Sequence, residues 1–137
     1  MADISAIASA IATRVATIST LTNRASAFGK DFVDPPWAVV VPAPGDLWRE
    51  ATFGGGAYDL TFLVKVLEKA AEDRASQDRL SNYMDTSGTS SIKAAVDGTL
   101  GGVVSFAVVT TAQNYGDVEY AGAQYYGVEF VVEVGTT

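Results

Sequence analysis

The chain has no histidine and no cysteine. Without histidine it lacks the side chain that most often moves protons near neutral pH. Without cysteine it forms no disulfide and offers no thiolate to a metal. That leaves the redox compartment open, with a reducing cytoplasm the easier reading. Positive charge is scarce as well, since 9 Lys and Arg stand against 16 Asp and Glu for a net charge of −7. Such a surface repels a phosphate backbone, which argues against sequence-specific DNA binding. It still suits a wall past which DNA must slide without sticking. No apolar run approaches the ~20 residues of a membrane span. The opening MADISAIASAIATRV has no early basic region, and Ser and Thr interrupt its apolar residues, so no secretory leader is expected. The expectation is a soluble protein, made and kept inside a cell or packaged in a particle.

What is present suffices for one core. At 137 residues and 48% hydrophobic content, a single domain over 1–137 is expected to fold without staples. Ile4, Ile7, Ile11, Val15, Ile18 and Leu21 recur at three- and four-residue steps, which predicts a helix from Asp3 to Thr22, a rod of roughly 30 Å. Ser5, Ser9, Thr13 and Thr17 fall on another face, and Asp3 is the expected N-cap. A turn-rich link from Asn23 to Pro36 leads to a short strand, Trp37–Val41, whose bracketing prolines suit an edge strand or one that begins and ends abruptly. The connection Pro42 to Gly56 reads as irregular, and its Trp48 and Phe53 need something to bury against.

Tyr58 to Leu67 alternates as a strand does. Tyr58, Leu60, Phe62, Val64 and Val66 point to a core, while Asp59, Thr61, Leu63, Lys65 and Leu67 form a mixed second face. A helix is expected from Asp73 to Met84, then a Thr86-Ser87-Gly88 break. A short helix follows, capped by Thr89 or Ser90, carrying Ile92, Ala95 and Val96 and ended by Gly98. Strands over Val103–Tyr115 and Val118–Val134, joined by a turn at Gly116-Asp117, complete the chain, with Gly122 and Gly127 expected at bulges or bends. The sum is an α+β domain, an antiparallel or mixed sheet of about four strands with the N-terminal helix and two short helices on one face.

Candidate chemistry is thin. Ser91 and Lys93 are two apart on a helix and do not face each other, so a cap followed by a solvated Lys is the better reading. Gly54-Gly55-Gly56 leads into a strand rather than a helix and reads as a hinge, not a phosphate loop. The run Gly98, Gly101, Gly102 also precedes a strand and is no dinucleotide fingerprint. The carboxylate pairs Asp117/Glu119 and Glu129/Glu133 supply too few oxygens for a hard cation and read as a solvated acidic face. No catalytic residue, metal site or cofactor is assigned. The anomaly is the second sheet face, where Leu63, Leu67, Val131 and either Val103 or Val109 sit among charges without an obvious covering helix. Two coverings stay open: the Trp48/Phe53 loop of the same molecule, or neighbouring copies.

In element order, and most specifically from Arg74 to Val96, the chain resembles the tail terminator proteins of long-tailed bacteriophages. The residues that carry the resemblance are YDLTFLVKVL, then Gln77, Arg79-Leu80, Asp85, Gly88, Ser91-Ile92 and Ala95, then the ending GAQYYGVEFVVEV. The pattern is one of fold and contains no catalytic signature. It implies a virion protein of the tail and neck, made in the host cytoplasm. It further implies a hexameric ring on the last layer of the tail tube, which stops tube polymerisation and meets the head-completion or stopper protein. Genomic DNA would pass the lumen without specific binding. On that reading Leu47, Trp48, Phe53, Leu63 and Val131 are candidates for the subunit and tube interface, and Asp59, Glu129 and Glu133 for part of an acidic lumen. A head-side adaptor or stopper is the alternative. A small carboxylate- or metal-dependent enzyme, or a monomeric binding module, is a more distant one.

Overall fold

A computed structural model of the chain describes residues 4–28, 35–44, 48–50, 58–69 and 74–136. The first helix, α1, runs Ile4–Val15 and buries Ile7, Ala8, Ile11, Ala12 and Val15 against the sheet. Twelve residues rise about 18 Å, shorter than the rod expected from the apolar stripe. The stripe itself persists, because Ile18 and Leu21 are also buried, on a turn and a single 3-10 turn at Ser19–Leu21. The Ser/Thr-rich sequence explains the early end. Thr17 Oγ1 donates to Arg14 O at 2.6 Å, the kind of local bond that competes with helix continuation. The expected caps Asp3 and Asp73 lie outside the described residues.

Six strands make one mixed sheet: β1 (Ala25–Ala27), β2 (Trp37–Pro42), β3 (Trp48–Glu50), β4 (Tyr58–Glu68), β5 (Phe106–Tyr120) and β6 (Ala123–Thr136). Their order is β1-β2-β4-β6-β5, with β3 also on β4, so the sheet exceeds the expected four strands. β1 is parallel to β2, and every other pairing is antiparallel. Strand β2 is interior, so the edge reading of its prolines fails and the abrupt-end reading holds. Pro42 has no amide to donate, and the ladder passes to Ala43 N–H, which donates to Thr61 O at 3.0 Å. β2 spans the Phe62–Leu67 part of β4 and β3 the Tyr58–Leu60 part, so the Pro42–Gly56 connection, read as irregular, contains a short strand.

The last hairpin corrects the expected turn. β5 and β6 meet at Ala121-Gly122, both at positive φ (51° and 81°), as a two-residue turn of the primed type requires. Gly116, expected in the turn, lies within β5 beside Asn114, and their positive φ values accommodate a bulge between Gln113 and Gly116. Gly122 is thus a turn residue, so of the two readings, bulge or bend, the bend holds. Gly127 lies within β6, where a Cβ would overlap the carbonyl oxygen of Val66.

Helices α2 (Arg74–Tyr83) and α3 (Ile92–Val96) join α1 on one face of the sheet. Between them and the strands lie Ile11, Phe62, Val64, Leu80, Ile92, Phe130 and Val132, all buried in one cluster. Each such side chain, fully buried, contributes roughly 1.5–3 kcal/mol. Ser91, rather than Thr89 or Ser90, caps α3, its Oγ accepting from Ala94 N–H at 3.1 Å.

Polar contacts from the Arg74–Val96 stretch join the helices to the sheet. Glu68, fully buried at the end of β4, takes two bonds from Arg79, Nε to Oε2 at 3.0 Å and Nη2 to Oε1 at 2.8 Å. Tyr83 OH lies 3.5 Å from Glu68 Oε2 and 2.7 Å from Thr20 Oγ1, so α2, β4 and the turn after α1 share one polar knot. Burial raises the Tyr83 phenol pKa above its ordinary value. Asp85 O accepts from Ser91 Oγ at 2.5 Å, Gly88 has φ 102°, and Ala95 O accepts from Arg14 Nε at 3.0 Å.

Candidate functional site

Strand alternation sends every second residue to the face opposite the helices. Register places Trp37, Val39 and Val41 there from β2, then Asp59 through Leu67 from β4, and Tyr125 through Glu133 from β6. β5 adds Phe106, Val108, Gln113, Val118 and Tyr120. The face divides into three zones.

At one end the chain covers itself. Leu67 and Tyr125 are buried together, with Trp37, Val118 and Tyr120 packed against them. Trp37 Nε1 donates to Ser26 Oγ at 3.1 Å, which fixes the indole over this cluster. Gly127 leaves room here, since the position of a Cβ would lie 3.5 Å from both Leu67 Cδ2 and Val118 Cγ2. Leu67, for which two coverings were open, is therefore covered within one molecule, by Tyr125 and Trp37.

The middle zone is an open groove of about 640 Å³. Val41, Pro42, Leu63 and Val131 supply its apolar lining, and Lys65, Glu129, Gln113 and Asn114 its polar part. Lys65 Nζ lies 3.7 Å from Glu129 Oε2, and Asn114 Nδ2 donates to Glu129 Oε1 at 2.8 Å. Gln113 Nε2 reaches the same oxygen at 3.4 Å. The bulge at Gln113–Gly116 explains why two consecutive side chains converge on one carboxylate. The arrangement neutralises Glu129 and cross-links β4, β6 and β5, but it offers no nucleophile with an adjacent base.

The third zone is exposed. Phe106 and Val108, on edge strand β5, remain 46% and 37% accessible. The Phe106 ring lies over the backbone of Gly135, where a Cβ would overlap it. Asp59 and Glu133 sit exposed on the same face, opposite Gly135 and Thr61 in register.

The sequence candidates thus scatter over these zones. Leu63 and Val131 are cross-strand partners in the groove, although Leu63 is only 8% exposed. Glu129 lies beside them, tied to Lys65, while Asp59 and Glu133 are solvated. Val109 belongs to the helix-covered core and Val103 to an exposed turn after α3. Trp48 is registered opposite Leu60 in β3, whereas Leu47, Phe53 and the Gly54–Gly56 run lie outside the described residues. Sequence reasoning placed Lys65 on the mixed face but gave it no role, and passed over Gln113, Asn114, Phe106 and Val108. An Asn-Tyr-Gly run inside a strand pattern is the bulge signal that could have found the two amides. Lys93 is less solvated than expected, its Nζ donating to Val109 O at 3.0 Å.

Among the described residues, no group of three or more carboxylates is gathered closely enough to hold a metal ion, and no helix is long and apolar enough to cross a membrane. Comparison with protein-family models and with curated proteins finds no match to this chain.

Proposed function

We propose that the chain is a structural virion subunit, a tail terminator of a long-tailed bacteriophage, acting without catalysis as a ring on the tail tube. One observation supports this best: helices shield one face of the sheet, while the other keeps an apolar groove and an exposed Phe106/Val108 end. A closed ring uses heterologous contacts, so each subunit needs two different adhesive surfaces. The groove around Leu63 and Val131 is one candidate, and the connection carrying Leu47, Trp48 and Phe53 is the other. Phe106 and Val108 extend the first. Asp59 and Glu133 would contribute negative charge to a lumen through which DNA slides, and Glu129, tied to Lys65, would contribute less. The ring's partners would be the tail tube below and the head-completion protein above.

The test is assembly. The purified chain should form rings in sedimentation and electron micrographs, alone or on tail tubes, and Val131→Asp should abolish them while leaving a folded monomer. Loss of the protein from its phage should give overlong tails. Normal tails that fail to join heads would instead assign it to the head-side stopper. A persistent monomer that never joins tubes would overturn both.

A further inference from the structure

Edge strand β5 has two halves that differ in how their outer backbone groups are used. At Ala107 the edge is occupied by Gly98: Gly98 N–H donates to Ala107 O at 3.0 Å, and Ala107 N–H donates to Gly98 O at 2.6 Å. At Val109 two side chains do the same work, for its N–H donates to Asp97 Oδ1 at 2.8 Å and its O accepts from Lys93 Nζ at 3.0 Å. Lys93 and Asp97 are themselves paired at 2.8 Å. The end of α3 therefore seals the first half against any added strand. From Thr110 to Glu119, β6 is the strand neighbour found among the described residues, and it lies on one side only.

The open half is also one-signed in charge. From Ala94 to Thr137 the sequence has no Lys or Arg, and it carries Asp97, Asp117, Glu119, Glu129 and Glu133. Asp97 and Glu129 are matched by Lys93 and Lys65, whereas Asp117 and Glu119 stand exposed along the open half. At its start a cleft of about 130 Å³ opens beside Thr110–Ala112, bounded by Met84, Asp85, Thr86, Phe130 and Lys93, whose charge is matched by Asp97. It is large enough for one apolar side chain.

We propose that Thr110–Glu119 of β5 accepts an extended, basic segment of a partner protein as an added strand. Main-chain hydrogen bonds would supply affinity, as in other strand additions, and the acidic flank and cleft would supply selectivity. Register shifts at Val109/Thr111 and at Gln113/Gly116 leave Thr111–Gln113 and Gly116–Glu119 as the two short stretches for pairing. The same edge of a second copy is a poorer occupant, because it would bring its own Asp117 and Glu119 against these two exposed carboxylates. The groove proposed above as a ring contact shares Gln113 and Asn114 with this strand but uses the sheet face, whereas an added strand would use the outer backbone edge.

The test uses the full-length protein and short amidated peptides: one alternating lysine and valine, its glutamate counterpart, and a lysine–valine peptide interrupted by proline. Binding is followed by fluorescence anisotropy and by backbone amide hydrogen exchange. The lysine peptide should bind and slow exchange within Thr110–Glu119, and the other two should bind more weakly. Asp117→Lys with Glu119→Lys should weaken the lysine peptide by at least about threefold, the scale of two exposed charge interactions. Should that variant misfold, the lysine-to-glutamate comparison on the native chain still decides. Equal binding of both charges, or no protection at Thr110–Glu119, would overturn the proposal. So would protection that rises with protein concentration alone, which would assign the edge to a second copy.

Discussion

The two faces of this sheet are written in the same strands, one residue apart, yet they are finished differently. Phe62 and Leu63 are neighbours in β4. The first is buried among α1, α2 and β6, and the second lines an open groove beside Lys65 and Glu129. Both are apolar, and both are screened from solvent in one molecule. What differs is the partner. The helix-covered face is completed by its own chain, whereas the second face is completed at one end, by Trp37 and Tyr125, and left open at the other. A side chain's hydrophobicity does not say which of these it belongs to; its parity and the reach of the helices do.

The sharpest way to break this comparison is to truncate the two neighbours. Phe62→Ala should cost about 3–5 kcal/mol, the range for a large core aromatic. Leu63→Ala should cost less, about 1–2 kcal/mol in the monomer, since the groove beside it already lacks packing on one side. Urea unfolding of each variant would measure both. Equal losses would mean that the second face is as tightly closed as the first.

A similar contrast holds between Glu68 and Glu129, each of which has a basic partner. Glu68→Ala should cost about 1.5–3 kcal/mol, because it removes two charge-assisted bonds of Arg79 and a partner of Tyr83. Tyr83→Phe probes the same knot by pH. The folded state holds the Tyr83 proton more tightly than the unfolded state, so stability is full below pH 10 and falls as pH rises above it. The phenylalanine variant should show a shallower alkaline decline in denaturation midpoints. An unchanged slope would mean that the phenol titrates normally.

How much of this was legible beforehand depends on the range of the interaction. Strand β4 was legible because its alternation is local and unbroken from Tyr58 to Leu67. The helix-covered core followed from it. The hairpin turn was misplaced by several residues, because bulge and turn call for the same backbone. Asn114 and Gly116 have positive φ for a bulge, while the turn itself is built on Ala121 and Gly122. Strand β1, three residues of Ala and Ser, is too short to show a period. Its parallel pairing with β2 therefore left no mark. The polar half of the groove was invisible for a different reason. Lys65, Gln113, Asn114 and Glu129 converge only once β4, β6 and β5 are in register, and register across separate strands is not a local property.

Gly127 tests that register with a smaller expected effect. A methyl group there would meet the carbonyl oxygen of Val66, a backbone atom that cannot swing aside. Gly127→Ala should therefore cost about 1–3 kcal/mol by forcing β4 and β6 apart. Amide exchange should quicken first near Val66 and Leu67, at the self-covered end of the second face. Uniform loosening of the whole sheet would instead mean that the two ends of this face are not separable.

The smallest effect should come from the ion pair that crosses the groove. Lys65 and Glu129 keep 31% and 16% of their side-chain surface in solvent, and their charged atoms are 3.7 Å apart. Lys65→Ala should thus change monomer stability by about 0–1 kcal/mol, and less at high salt. Glu129 would keep its bonds from Asn114 and Gln113 but lose its counter-charge, making the groove more acidic. If a neighbouring subunit enters the groove, the change should weaken assembly more than folding, because an unmatched carboxylate would then be desolvated. Sedimentation and unfolding of the same variant separate these outcomes. Loss of stability without loss of assembly would make the pair a brace within one sheet and remove the groove from the list of contact surfaces.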